Sequence, residues 1–292
     1  MPDDLAARLR GHVEMLASTI GERNVFLPER LAAARDYIET TWRTQGYEVG
    51  AQEYQTHGVT CANLEVSRTG TSRPGEILLL GAHYDSVRDC PGANDNGSGV
   101  AALLELARHF AALTPSLTVR LVAFVNEEPP FFMTRRQGSA VYAKAARARR
   151  DDIRLMVSLE TLGYYSDAPG SQRYPPLFRF FYPDRGNFLG LVSDLRSRRV
   201  MRQVAKAFRD RSDFPLQHTA ALRWIPGIAW SDHLPFWRQG YPALMATDTA
   251  FYRYRYYHTV QDTPDKLAYP AFGRAIEALG SCFAALAEQG LE

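Results

Sequence analysis

Cysteine is scarce in this sequence: Cys61, Cys90 and Cys282 are the only three in 292 residues. They are too few and too scattered for a disulfide framework, and no C-x-x-C pair is present to hold a metal through thiolates. They are read as free thiols. No apolar stretch approaches the roughly 20 residues that span a bilayer, so no membrane segment is expected. The start, MPDDLAARLRGHVEML, lacks the basic opening and apolar run of a secretory signal, which makes the cytoplasm the default location. An excess of charge is missing too. Lys and Arg number 34 against 32 Asp and Glu, a formal net charge of +2, without the basic surplus of a nucleic-acid-binding protein. No internal repeat and no low-complexity segment interrupts the chain.

What is there is evenly globular sequence, 46% hydrophobic, long enough to enclose a large core and read as a single domain over 1–292. Apolar residues at three- and four-residue spacing predict helices over 4–20 and 28–45, the second stopped at Gly46. Strand-forming runs fall at 47–54 and 62–66, and a continuous apolar run at 76–83 predicts a strand buried on both faces. A helix over 97–113, a strand over 117–125, a helix over 138–150 and a strand over 153–160 then alternate. This is an α/β pattern, with helices on both faces of a central mixed, largely parallel sheet in three layers, α/β/α. The Pro-, Tyr-, Phe- and Gly-rich segment 166–186 reads as an irregular excursion. Helix is predicted over 188–209, a short strand over 241–247 and a closing helix over 271–289. The basic run at 145–150, with Arg135 and Arg136 before it, reads as the exposed end of a helix.

The residues that carry chemistry collect where strands end. His83 closes the 76–83 strand, Glu127 and Glu128 follow the 117–125 strand, and Glu160 ends the 153–160 strand. Ligands of open α/β sheets bind outside those carboxyl ends. Asp85, two residues after His83, is placed to accept the second ring N–H and leave the other nitrogen free for a metal; a loop-capping Asp beside a structural His is the alternative. The polar, Gly-dense turn PGANDNGSG over 91–99 opens onto a helix. Turn and cap chemistry accounts for most of it, while the two oxygens of Asp95 are also able to bridge two cations. The Lys-Ser/Thr ending of a phosphate-binding loop is missing. Glu127 and Glu128 repel each other unless positive charge lies beside them. A metal supplies that charge: one carboxylate ligates, and its neighbour takes a proton from water and passes it to the leaving amine. A solvated strand end is the alternative. His258 lies in the aromatic-rich stretch 252–265, a loop of the kind that lines pockets.

Six motifs, GAHYDS, GANDNGSG, NEE, SLETLGYY, SDHLPF and YYHTVQDTPDKL, follow one another over 81–267. Their order resembles that of the co-catalytic zinc exopeptidases of metallopeptidase clan MH, family twenty-eight. The resemblance implies a zinc exopeptidase-like (phosphorylase/hydrolase-like) fold and two Zn2+ per chain. It implies that Asp95 bridges the metals, that Glu128 and His258 complete one site and His83 and Glu160 the other, and that Glu127 is the general base. A cis peptide between Asp95 and Asn96 is implied as well. The chain departs from the pattern twice. Glu160 stands where many relatives have Asp. Ile228, Ala229 and Trp230 occupy positions where a tyrosine often precedes the Ser-Asp-His motif and helps hold the developing oxyanion, which leaves His233, Tyr256 or Tyr257 for that role. Ser231, Asp232 and His233 are read either as structural parts of their loop or as substrate contacts. The activity implied is that of an aminopeptidase acting on peptide substrates. Glutaminyl cyclase-like chemistry at a single zinc, carboxypeptidase action on an acidic C-terminal residue, and a non-catalytic binding domain are the other readings of the same scaffold. Pro129 to Phe132 and the 166–186 excursion are expected to wall an apolar specificity pocket. The sequence leaves the oligomeric state open.

Overall fold

A strand with apolar side chains at every position must be covered on both faces, and the run Ile77 to Leu80 is covered in this way. Leu78, Leu80 and Ala82 enter one core while Ile77 and Leu79 enter another. The computed structural model describes residues 2–291. In chain order its elements are α1 (Pro2–Glu14), α2 (Pro28–Thr44), β1 (Gly50–Thr56), β2 (Val59–Arg68), β3 (Arg73–His83), α3 (Gly99–Ala111), β4 (Leu117–Phe124), α4 (Gly138–Arg149) and β5 (Asp152–Glu160), then β6 (Leu189–Asp194), α5 (Arg198–Arg209), β7 (Leu216–Ala221), α6 (His233–Arg238), β8 (Ala243–Thr247), α7 (Ala250–Arg253) and α8 (Tyr269–Gln289).

The strands form one eight-stranded sheet in the order β1-β2-β4-β3-β5-β8-β6-β7. β4, β3, β5 and β8 run parallel at its centre. The β1–β2 hairpin adds an antiparallel edge; β6 and β7 are parallel to each other but antiparallel to β8. Side chains of α1, α2, α3, α5 and α8 fill the larger core on one face, and α4 and α6 pack on the other. The expected three-layer α/β architecture with a mixed sheet is the one observed. The hairpin turns on His57 (φ 50°) and Gly58 (φ 76°), the two positive φ values that a two-residue loop requires and that Gly adopts without strain.

Chain reversal at β3 creates the site. α3 connects β3 to β4 on one side of it, and α4 crosses on the opposite face to β5 on the other side, which leaves a crevice at the carboxyl ends of β3, β4 and β5. One expected element is corrected. The 188–209 stretch is not a single helix: Leu189–Asp194 is β6, buried at every position, and only Arg198–Arg209 is helical. A short apolar run buried on both faces carries no periodicity that tells strand from helix. β7 went unread because Gln217, His218 and Thr219, on an edge strand, are only half-buried. Among the described residues no helix is long and apolar enough to cross a membrane, and the three cysteines are free and buried.

Candidate metal centre

His83 and Glu160 are the last residues of the neighbouring strands β3 and β5. Glu127 and Glu128 sit just past β4, where Asn126 (φ 60°) turns the chain. Asp95 rides in the kinked turn Ala93–Ser98 that enters α3, and the Asp95–Asn96 peptide is cis, as the resemblance implied. His258 arrives from the loop after α7. These residues meet. His83 Nε2 lies 3.3 Å from Asp95 Oδ1 and 3.4 Å from Glu160 Oε2. His258 Nε2 lies 3.0 Å from Asp95 Oδ2 and 3.4 Å from Glu128 Oε2. Glu127 Oε2 stands a little further off, 3.9 Å from His83 Nε2. All are buried except the His258 side chain, which is 32% exposed.

This geometry fits a metal pair. Two ligand atoms each about 2.0–2.1 Å from a tetrahedral zinc are about 3.3 Å apart, close to the imidazole-to-carboxylate spacings in the triads His83–Asp95–Glu160 and Asp95–Glu128–His258; His83, Glu127 and Glu128 form a third group within 4.8 Å. The first two triads share Asp95, one oxygen facing each. Asp95 Oδ1 and Glu128 Oε1 are buried without a hydrogen-bond donor, as expected of oxygens aimed at cations. The donor set of carboxylate oxygens and imidazole nitrogens, without thiolate, is one that zinc accepts.

Electrostatics point the same way. Four carboxylates lie buried together against two imidazoles, a deficit of positive charge. Burial raises Glu127 well above the usual carboxylate range, with Glu128, Asp232 and Glu160 adding to the effect against the pull of His83. Burial and then Asp95 push Glu128 up to about 7. Burial by itself lowers His258, but hydrogen bonds to Asp95 and Glu128 outweigh it and push the imidazole up to about 10. Burial raises Asp95 too, yet the close imidazoles of His258 and His83 outweigh it and carry the carboxyl below its ordinary value.

The supporting residues differ from expectation in informative ways. The group beside His83 Nδ1 is the main-chain carbonyl of Asp85 at 3.2 Å, while the Asp85 carboxylate stands at 3.6 Å. Its two oxygens instead accept the backbone N–H groups of Glu127 and Glu128, each at 3.1 Å, so Asp85 fixes the acidic pair. Ser231 donates to Glu160 Oε2 at 2.7 Å, so its hydroxyl is engaged with a candidate ligand. His233 is corrected as an oxyanion candidate: fully buried, it bonds the Ile228 carbonyl at 2.8 Å and meets Trp237 edge-on, outside the cluster. Tyr256 is no better placed, since its hydroxyl is engaged by Arg255. Tyr257 remains, stacked on His258 with ring centroids 3.9 Å apart. Sequence reading missed Arg23, which is 0% exposed and donates to the carbonyls of Tyr84, Pro91 and Gly92 at 2.7, 2.6 and 2.9 Å. Nothing in its neighbourhood, GERNVF, signals that role. Gly92 has its positive φ (64°) here, and a Cβ on it would lie 2.5 Å from the Asp95 carbonyl oxygen, so only glycine fits.

A cavity of about 230 Å³ opens over the cluster, lined also by Pro129, Phe132, Trp230, Phe251 and Tyr257. A second, of about 110 Å³, shares Glu160, Trp230, Phe251 and Tyr257 with it and continues between Val192, Ile228, Met245 and Phe178. The expected apolar walls are both present in part, Pro129 and Phe132 on the first cavity and Gln172, Tyr174, Pro175 and Phe178 of the excursion on the second.

With this site in view, comparison with known proteins settles the family. Residues 63–282 match the family model described as Peptidase family M28. The chain belongs to peptidase family M28. This family M28 chain is 38% identical over 281 residues to the Escherichia coli K12 protein YfbL, covering 93% of this chain and 85% of that one. Among solved structures, it resembles BSAP, a zinc aminopeptidase from Bacillus subtilis, at a TM-score of 0.78 and 14% identity over 97% of this chain and 95% of that chain. It also resembles the Bacteroides thetaiotaomicron glutaminyl cyclase at 0.70 and 18% over 99% and 98%. At such identities these two establish the shared fold alone.

Proposed function

We propose that this family M28 chain is an aminopeptidase that holds two zinc ions and releases N-terminal residues with apolar side chains. The observation that carries the reading is the pair of triads sharing Asp95, with Glu127 beside them and outside the Asp95 bridge. Zinc bound there supplies Lewis-acid polarisation of the scissile carbonyl and acidification of water.

The chain's own residues do the rest. Glu127, raised by burial and its acidic neighbours, takes a proton from the attacking water and returns it to the leaving amine, a task for which a raised carboxylate is the stronger base. Asp85 holds Glu127 and Glu128 in register through their N–H groups. Tyr257, which borders both cavities, offers its phenol to the developing oxyanion. The carboxylates around the first cavity favour a cationic α-amino group. No Arg or Lys lines either cavity among the described residues, so a C-terminal carboxylate has no basic clamp.

The test uses aminoacyl nitroanilides of Leu and Phe, free and N-acetylated, with purified protein and zinc. Cleavage of the free forms only is expected, and Glu127→Gln should lower kcat by about 10²–10⁴-fold while zinc content is unchanged. Full turnover by Glu127→Gln ends this mechanism. Pyroglutamate formation from an N-terminal Gln peptide without nitroanilide cleavage would mean cyclase chemistry instead.

A further inference from the structure

Asp262 is fully buried, four residues beyond His258 in the same loop, and the catalytic reading makes no use of it. Its surroundings are nonetheless highly ordered. Oδ1 accepts the backbone N–H of Asn94 at 2.8 Å and the Tyr254 hydroxyl at 2.8 Å, and Oδ2 accepts the N–H of Asp95 at 3.1 Å. Its main-chain carbonyl takes the N–H of Ala93 at 3.1 Å. One residue therefore collects three successive N–H groups of the turn that carries the bridging ligand, and ties them to the loop that carries His258. Three donors converge on the carboxylate, so only a group with acceptors on both arms satisfies them; an amide would turn an NH2 toward an N–H.

We propose that Asp262 is a positioning residue that sets the distance between Asp95 and His258 and thereby the metal affinity of the Asp95–Glu128–His258 half-site. The proposal rests on the two-zinc reading above. It predicts asymmetry. His83 and Glu160 end adjacent strands of the sheet and are held by pairing to Phe124 of β4 and Thr247 of β8, so their half-site depends on Asp262 only through Asp95. In the other half-site both Asp95 and His258 come from loops, and the Asp262 contacts join those two loops directly. Outer partners of metal ligands typically govern affinity by about 10–100-fold.

The experiment measures zinc binding, not turnover, by competition with a chromophoric chelator in single-site backgrounds. In His83→Ala protein, which keeps the His258 half-site, Asp262→Asn should weaken zinc by about 10–100-fold. In His258→Ala protein the same change acts through Asp95 alone and should weaken zinc by a clearly smaller factor. Cobalt absorption of the His83→Ala protein should change shape with Asp262→Asn, a signature that loss of stability alone does not produce. If Asp262→Asn does not fold, Tyr254→Phe removes one of the three donors and should weaken the same half-site in the same direction by a smaller factor. Equal weakening of both half-sites, or of neither, overturns the proposal. Should the wild-type chain bind a single ion, the two-zinc reading falls; loss of that ion with Asp262→Asn still supports the clamp, and its retention overturns it. Two bound ions without peptide hydrolysis would sink the proposed activity and leave the clamp to be judged on affinity alone.

Discussion

Arg23→Met removes the guanidinium that fastens the two halves of the ligand cradle together while roughly keeping side-chain length and apolar stem. In the native chain Nε donates to Tyr84, next to His83, and the two terminal nitrogens donate to Pro91 and Gly92, at the root of the Asp95 turn. With Met, the carbonyls of Tyr84 and Pro91 lose charge-assisted partners, and each unsatisfied group costs about 1–3 kcal/mol, whereas the Gly92 carbonyl keeps the N–H of Gly97 at 3.0 Å. Part of this is offset because a desolvated cation is no longer buried; burial in fact holds the Arg23 pKa below its ordinary value against the pull of Asp85 and Asp262. The net loss should be about 2–4 kcal/mol, a fall in Tm of roughly 3–7 °C for a chain of this size. Differential scanning calorimetry in the presence of EDTA reads this without metal. Arg23→Lys should recover only part of it, because an ammonium cannot reproduce the planar fork. A metal-free Arg23→Met protein within about 1 kcal/mol of wild type, below the cost of even one lost partner, would refute the reasoning.

Two further outcomes follow from individual residues. Burial lowers the His233 pKa to about 4, below the unfolded value of about 6.5. Its neutral form therefore contributes stability that is present above pH 6.5 and lost as pH falls toward 4, about 3 kcal/mol in all; urea unfolding at pH 7 and pH 4 should show that His233→Gln abolishes this part of the acid sensitivity, and identical pH dependence in both proteins would contradict it. Ile228→Arg places a cation in the second cavity, so kcat/KM for an N-terminal Leu or Phe substrate should drop by about tenfold or more, in line with the roughly 1–3 kcal/mol that pocket contacts contribute, while kcat/KM for an N-terminal Asp or Glu substrate rises; unchanged selectivity would place the side-chain pocket elsewhere.

The fold was legible wherever burial imposes a clear rhythm. The continuous apolar run ending at His83 and the alternation through Glu160 gave the parallel centre of the sheet, because strands covered on both faces need such runs. Between β5 and α6 the rhythm fails. Leu189 to Val192 look the same as helix or strand when every position is buried, and the exposed edge strand around His218 has no apolar alternation at all. His83, Glu127, Glu128 and Glu160 were legible as imidazole and acidic residues at strand ends, Asp95 and His258 as ligands only through the family resemblance, and the structure brings all six together. The supports were not. Arg23 acts through backbone carbonyls 61 to 69 positions away, and Asp262 through backbone N–H groups 167 and 168 positions away. Such bonds use main-chain atoms that every residue has, so no motif marks them. The same reason explains Asp85, whose proximity to His83 in sequence suggested the ring as its partner while the folded chain offers it the N–H groups of Glu127 and Glu128.

Anomalous diffraction at the zinc absorption edge, from crystals grown with zinc, puts the central claim to the most direct test. Two peaks about 3.5–4 Å apart are predicted, one among His83, Asp95 and Glu160 and one among Asp95, Glu128 and His258. Zinc held by other residues, or absent from both triads, would contradict the account.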